Sequence, residues 1–201
     1  MKRVLCYGDS NTYGGYDFGG VESKRFVNRW TIELQRLLGD GYLVIEEGNN
    51  GRAIASGTQE DRAVDSFVPI AIFHEPLDIV VVMLGTNELW KGFNHTMAEI
   101  AAMLEEQVIK TLKELAKNII IISPPRIESE NLSKFFKNLF AKDAGEKSKQ
   151  FSVSYKEVAK RNGCCLVDAF DVSLWQDGLH LDEQGHKQLA IRVYETIKKG
   201  R

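Results

Sequence analysis

The chain has 201 residues, 43% of them apolar and 27% charged, with a formal net charge of −2. That length can bury a substantial core and suits a single domain spanning residues 1–201. The near-balanced charge argues against a nucleic-acid or membrane-surface partner. Three cysteines, Cys6, Cys164 and Cys165, form no disulfide framework and lack the spacing of a metal site. The adjacent pair lies in an apolar segment and is expected to act as small buried hydrophobes. The apolar stretch behind the basic start "MKRVLCYGDS" is too short for a signal peptide, and no later run reaches membrane-span length. A cytoplasmic protein is expected.

In chain order, "RVLCYG" (3–8), "YLVIEEG" (42–48), "LDIVVVMLG" (77–85), "NIIIISPP" (118–125) and "CCLVDAF" (164–170) read as buried strands. Their β-branched, near-continuous apolar character fits a parallel sheet covered on both faces. Helical stretches alternate with them. "RFVNRWTIELQRLLG" (25–39) places Phe26, Trp30, Leu34 and Leu37 near helical spacing and closes on Gly39. Residues 96–117, 146–163 and 182–200 complete the helices. The alternation predicts a three-layer α/β/α sandwich around a five-stranded parallel sheet ordered 2-1-3-4-5. The segment 126–147 is longer than an ordinary connection. It would present Phe135, Phe136, Leu139 and Phe140 on one face, either as a helix packing on its own domain or as a lid or subunit contact.

In such a sheet, ligands bind beyond the carboxyl ends of the strands, where strand order reverses. Four polar clusters fall on that rim: Gly8-Asp9-Ser10-Asn11, "EGNNGRA" (47–53), Gly85-Thr86-Asn87-Glu88 and "WQDGLHLDEQGH" (175–186). Together they supply the parts for acyl transfer. Ser10 is a nucleophile once a base takes its proton, and His180 is the base of choice among four histidines. Asp177, three residues earlier, can hold the imidazole in the useful tautomer. The backbone N–H groups of Ser10 and Gly51 and the Asn87 amide could converge on the oxyanion. Losing one such donor costs roughly 100- to 1,000-fold in rate.

"GDSNT" (8–12), the glycine of "NNGR", "GTNE" (85–88) and "DGLH" (177–180) resemble, in order and spacing, the four blocks of the GDSL/SGNH hydrolases. The longer "GDSNTYG", "VIEEGNNGR", "HEPLDIVVVMLGTNELW" and "DGLHLDEQGH" resemble the arylesterase-like branch, which handles small esters. The resemblance implies a flavodoxin-like SGNH hydrolase fold and a nucleophile at Ser10. It implies oxyanion donors at Gly51 and Asn87, and a triad completed by Asp177 and His180. It implies a small-molecule ester substrate with a short acyl group, acetyl above all, on an aryl, alkyl or sugar alcohol. No cofactor and no metal are required. Relatives of the branch are often oligomeric, and a homo-oligomer is expected. Glu88 stands where relatives often have aspartate and receives no catalytic role; Asn11 stands where many have leucine.

Substrate-pocket candidates around these residues are Asp9, Asn11, Arg52, Trp90 and Phe93. Asp9 is expected to anchor the turn rather than act as a second base. Arg52 either holds its loop or reaches substrate. Trp90 and Phe93 wall an acyl or alcohol pocket, pack in the core or meet another subunit. His95 is expected in solvent and His186 in the last helix. Lysophospholipase or thioesterase activity belongs to other branches of the same machinery. A non-catalytic flavodoxin-like binding module would want a phosphate loop, and the chain has no G-x-G-x-x-G or P-loop pattern. An aspartate phosphotransferase built on Asp9 would want a neighbouring acidic residue for Mg²⁺, and residues 7–11 offer none. The G-x-S-x-G elbow is also missing.

Overall fold

The computed structural model describes residues 1–16, 24–59, 62–93 and 95–200. Along the chain these form β1 (Lys2–Gly8), α1 (Ser10–Tyr13), β2 (Gly15–Tyr16), β3 (Lys24–Arg25), α2 (Trp30–Leu38) and β4 (Tyr42–Gly48). There follow α3 (Ala63–Phe73), β5 (Leu77–Met83), a 3₁₀ turn (Thr86–Leu89), α4 (Met97–Met103), a π segment (Leu104–Ile109), α5 (Lys110–Leu115) and β6 (Ala116–Ser123). Helices α6 (Lys134–Leu139), α7 (Ala144–Ser148) and α8 (Phe151–Asn162), strand β7 (Cys165–Asp168) and helix α9 (Glu183–Lys199) complete the chain. The main sheet is parallel, ordered β4-β1-β5-β6-β7, which is the expected 2-1-3-4-5. A small antiparallel pair, β2 with β3, stands apart from it.

Strand alternation divides the core in two. Leu5, Tyr7, Val80, Val82, Ile119 and Ile121 face one layer with Phe67, Leu104, Leu112, Phe151 and Tyr155. Val4, Cys6, Ile79, Val81, Ile120 and Ile122 face the other, against Trp30 and Leu34 of α2 and Leu189 and Val193 of α9. Each central strand is therefore apolar on both faces, which is why its sequence shows no alternation. Among the described residues, no helix is long and apolar enough to cross a membrane.

The structure corrects several details. Helix α2 begins at Trp30, and its buried face carries Leu38, while Leu37 is exposed. Helix α3, unforeseen in the sequence, covers one face through Ala63, Phe67 and Ala71. It is apolar nearly all round and contains Pro69, so it offers neither an amphipathic stripe nor an uninterrupted run of helix formers. Cys165 is exposed because β7 is a short edge strand; only Cys6 of the three thiols is fully buried. The 126–147 excursion packs on its own layer: Phe136 and Phe140 are buried, and only Phe135 points outward. It is laced to the third block by Lys91 N–H to Leu139 C=O (2.9 Å) and Ala141 N–H to Leu89 C=O (3.0 Å).

Candidate active site

Strand β1 ends at Gly8, and the chain turns at once into the four-residue α1. Asp9 caps that helix: its backbone is extended, and its Oδ1 accepts from Asn11 N–H at 2.9 Å. Ser10 becomes the first helical residue at the carboxyl edge of the sheet. Burial pushes the Asp9 carboxyl up to about 6, against the Asn11 hydrogen bond and the charges of His180 and Arg52. With one oxygen committed to the cap and the side chain 1% exposed, Asp9 anchors the turn as expected.

The loop after β7 brings the imidazole to Ser10. At Gly178 the chain takes φ +67°, and an added Cβ would lie 2.5 Å from the Glu128 carbonyl, so only glycine passes. Glu128 N–H in turn donates to Gly178 C=O at 2.8 Å, tying the loop to the 126–147 excursion. Asp177 Oδ1 accepts the backbone N–H groups of Leu179 and His180, both at 3.0 Å. Its Oδ2 meets His180 Nδ1 at 2.7 Å, and His180 Nε2 meets Ser10 Oγ at 2.9 Å. An ionised Asp177 can only accept, so Nδ1 carries the proton and Nε2 accepts from the serine. Burial alone would raise the Asp177 pKa, but the hydrogen bond and charge of His180 and the two backbone N–H groups outweigh it and bring it below the usual range. His180 is 2% exposed, and Phe136 of α6 lies with its ring centre 5.6 Å away. The expected nucleophile, base and acid thus form one hydrogen-bonded chain.

The second and third blocks meet beside Ser10. Asn87 lies on the 3₁₀ turn that follows β5, and its Nδ2 donates to Arg52 C=O at 2.9 Å, leaving one amide hydrogen for another acceptor. Gly51 takes φ +76°, and an added Cβ there would lie 3.5 Å from the Trp90 indole edge. Trp90 therefore borders Gly51, and Phe93 stacks on Trp90 at 5.7 Å with the rings 19° apart.

Two pocket candidates have committed partners. Arg52 is 5% exposed, donates through Nη1 to Gly8 C=O (2.9 Å) and Glu47 C=O, and lies 4.1 Å over the Tyr7 ring. These bonds tie its loop to the end of β1 and to β4. Asn11 is 1% exposed: its Oδ1 accepts Leu181 N–H at 2.9 Å and its Nδ2 donates to Leu179 C=O at 3.3 Å. Both ends of its amide are committed to the His180 loop.

One residue was undervalued in the sequence. Glu88 is fully buried, and its carboxylate accepts Ile54, Ala55 and Ser56 N–H at 2.7, 2.9 and 3.3 Å, plus the Ser56 hydroxyl. It pins the loop that carries Gly51. His95, partly exposed, joins it with Nε2 2.8 Å from Ser56 Oγ and 3.5 Å from Glu88. A carboxylate following so apolar a strand was the available signal, since a buried charge must find partners. His186 lies in α9 as expected, with Nδ1 accepting Trp30 N–H at 3.3 Å. The 17–23 part of the first-block loop lies outside the described residues.

Comparison with known proteins places this geometry. The chain matches none of the curated proteins compared with it. A carbohydrate acetylesterase from Sinorhizobium meliloti, Est24, superposes with a TM-score of 0.88 at 29% identity, covering 100% of both chains. The native aryl esterase of M. smegmatis superposes at 0.87 with 28% identity over 99% of each. A member of the lipolytic G-D-S-L family from Veillonella parvula, at 15% identity and TM-score 0.74 over 99% of this chain and 100% of that one, shares the fold. The model of the GDSL-like lipase/acylhydrolase family matches residues 6–188. With its four blocks on the carboxyl rim of this sheet, the chain belongs to the GDSL-like lipase/acylhydrolase family and is a carboxylic ester hydrolase.

Proposed function

We propose that the protein is a serine esterase for small carboxylic esters, working through an acyl-enzyme on Ser10. The observation that carries this reading is the Asp177–His180–Ser10 chain, with links of 2.7 and 2.9 Å. His180 Nε2 takes the Ser10 proton as Oγ bonds to the ester carbonyl carbon. Asp177 holds the imidazole and balances its charge. The oxyanion rests on the N–H groups of Ser10 and Gly51 and the free hydrogen of the Asn87 amide. His180 then protonates the departing alcohol oxygen as the C–O bond breaks. A water, deprotonated by the same nitrogen, attacks the acyl carbon; the C–Oγ bond then breaks, His180 returns the proton to Oγ, and the acid leaves free Ser10.

A short acyl group, acetyl first, fits the names of the similar structures and the Trp90 indole bordering Gly51. The alcohol is aryl, alkyl or sugar. Hydrolysis of p-nitrophenyl esters from acetate to palmitate, with Ser10→Ala alongside, tests this. The expected result is activity that is highest on acetate, fades with chain length and is lost in Ser10→Ala. Preference for long chains would replace the small-ester reading with a lysophospholipase-like one, and wild-type rates from Ser10→Ala would end the assignment of the nucleophile.

A further inference from the structure

We infer that Asn11 is a positioning residue that sets the register between the base and the nucleophile; the inference rests on the esterase reading above. His180 sits on a loop 170 residues from Ser10. Within that loop Asp177 supports the imidazole from below, but a hydrogen bond inside one loop cannot fix where the loop lies relative to α1. Asn11 does so. The carbonyl of Leu179 and the N–H of Leu181 are the peptide groups on either side of His180, and one amide engages both, at 3.3 and 2.9 Å. The same residue is fixed in turn by the Asp9 carboxylate, which accepts its backbone N–H. The residue after the nucleophile therefore grips the loop of the base on both sides, in a buried setting where neither bond is exchanged for water.

A planar amide is suited to this, because it offers an acceptor and a donor from one rigid end. Leucine or alanine at position 11 offers neither and leaves two buried backbone groups unpaired. Aspartate keeps the acceptor for Leu181 N–H and sets a second oxygen against Leu179 C=O. A displacement of about 1 Å at such a site can cost on the order of 100-fold in rate.

The test compares wild type, Asn11→Ala and Asn11→Asp by p-nitrophenyl acetate kinetics, melting temperature and the rate at which Ser10 is labelled by a serine-directed fluorophosphonate. The labelling rate reports the register of His180 Nε2 with Ser10 Oγ without substrate recognition. The expected result for Asn11→Ala is kcat lower by roughly 10- to 100-fold with KM within about threefold. Its labelling slows in proportion while the protein stays folded at the assay temperature. Asn11→Asp, which sets a buried oxygen against Leu179 C=O, loses at least as much as alanine. Unchanged kcat overturns the inference, and so does a raised KM with kcat intact, which would place Asn11 against substrate. A folded Asn11→Ala with reduced kcat and a wild-type labelling rate also overturns it, since base and nucleophile would still be in register. If the wild type hydrolyses no ester, the labelling rate decides: its fall in Asn11→Ala keeps the positioning role and discards the esterase reading, and an unchanged rate discards both.

Discussion

The two ends of the same five strands are built differently. At the amino end, Lys2, Tyr42, Asp78, Lys117, Asn118 and Thr196 line a cavity of about 130 Å³. Lys2, Lys117 and Asn118 there are exposed; the Asp78 carboxylate accepts Arg3 N–H at 2.8 Å and its backbone carbonyl accepts from Asn118 Nδ2 at 3.2 Å. At the carboxyl end, Asp9, Ser10, Asn11, Asn87, Glu88, Asp177 and His180 are all buried, and each makes hydrogen bonds to other blocks or to its own turn. Polar groups at the first end are solvated and can be exchanged at little cost. Those at the second have lost water and stand only because their partners are in place. A concavity alone marks nothing; a concentration of buried polar groups hydrogen-bonded across distant blocks marks the chemistry.

That contrast predicts graded effects. Asp177→Asn should fold but lose on the order of 10,000-fold in kcat on p-nitrophenyl acetate, because an amide can present the wrong partner to Nδ1. Asn87→Ala should lose roughly 100- to 1,000-fold as one oxyanion donor disappears. Near-wild-type rates from either would remove that residue from the site.

A smaller effect concerns pH. The folded-state pKa of Asp9 is raised by burial to about 6, above its unfolded value, so the folded protein holds a proton that the unfolded chain releases. Stability should fall as pH rises through that window, by at most roughly 3 kcal/mol, and Asp9→Asn removes the dependence. The melting temperature of Asp9→Asn relative to wild type should therefore climb between pH 4 and pH 7. A constant difference would show that Asp9 does not titrate as a buried acid. His186, lowered by burial to about 3, pulls the other way, since it must charge as the protein unfolds in acid. It does so in both proteins and cancels from the difference. The smallest effect is at the amino end: Lys117→Ala should leave kcat/KM within about twofold and stability within about 0.5 kcal/mol. A large loss of activity there would break the comparison outright.

Much of this was legible in the sequence because the signals were local. β-branched apolar runs gave the five strands, and their alternation with helices gave the sheet order. The four polar clusters fell on one rim by topology alone. What was not legible depends on partners distant in the chain. Asn11 reads as a pocket residue until the loop 168 to 170 positions away supplies its partners. Arg52 left two roles open until the carbonyls of Gly8 and Glu47 claimed it. Glu88, a carboxylate behind an apolar strand, signals that it must find partners but not which loop amides they are, and His95 gives no sign of the Ser56 hydroxyl. Helix α3 escaped because periodicity reveals a helix only when one of its faces is polar.

The most direct test of the central claim is to treat the wild-type protein with a serine-directed fluorophosphonate and locate the adduct by peptide mass mapping. The account predicts one label per chain, on Ser10, with labelling and loss of ester hydrolysis proceeding at the same rate. Inactivation with the label on another serine, or full activity after Ser10 is labelled, would contradict it.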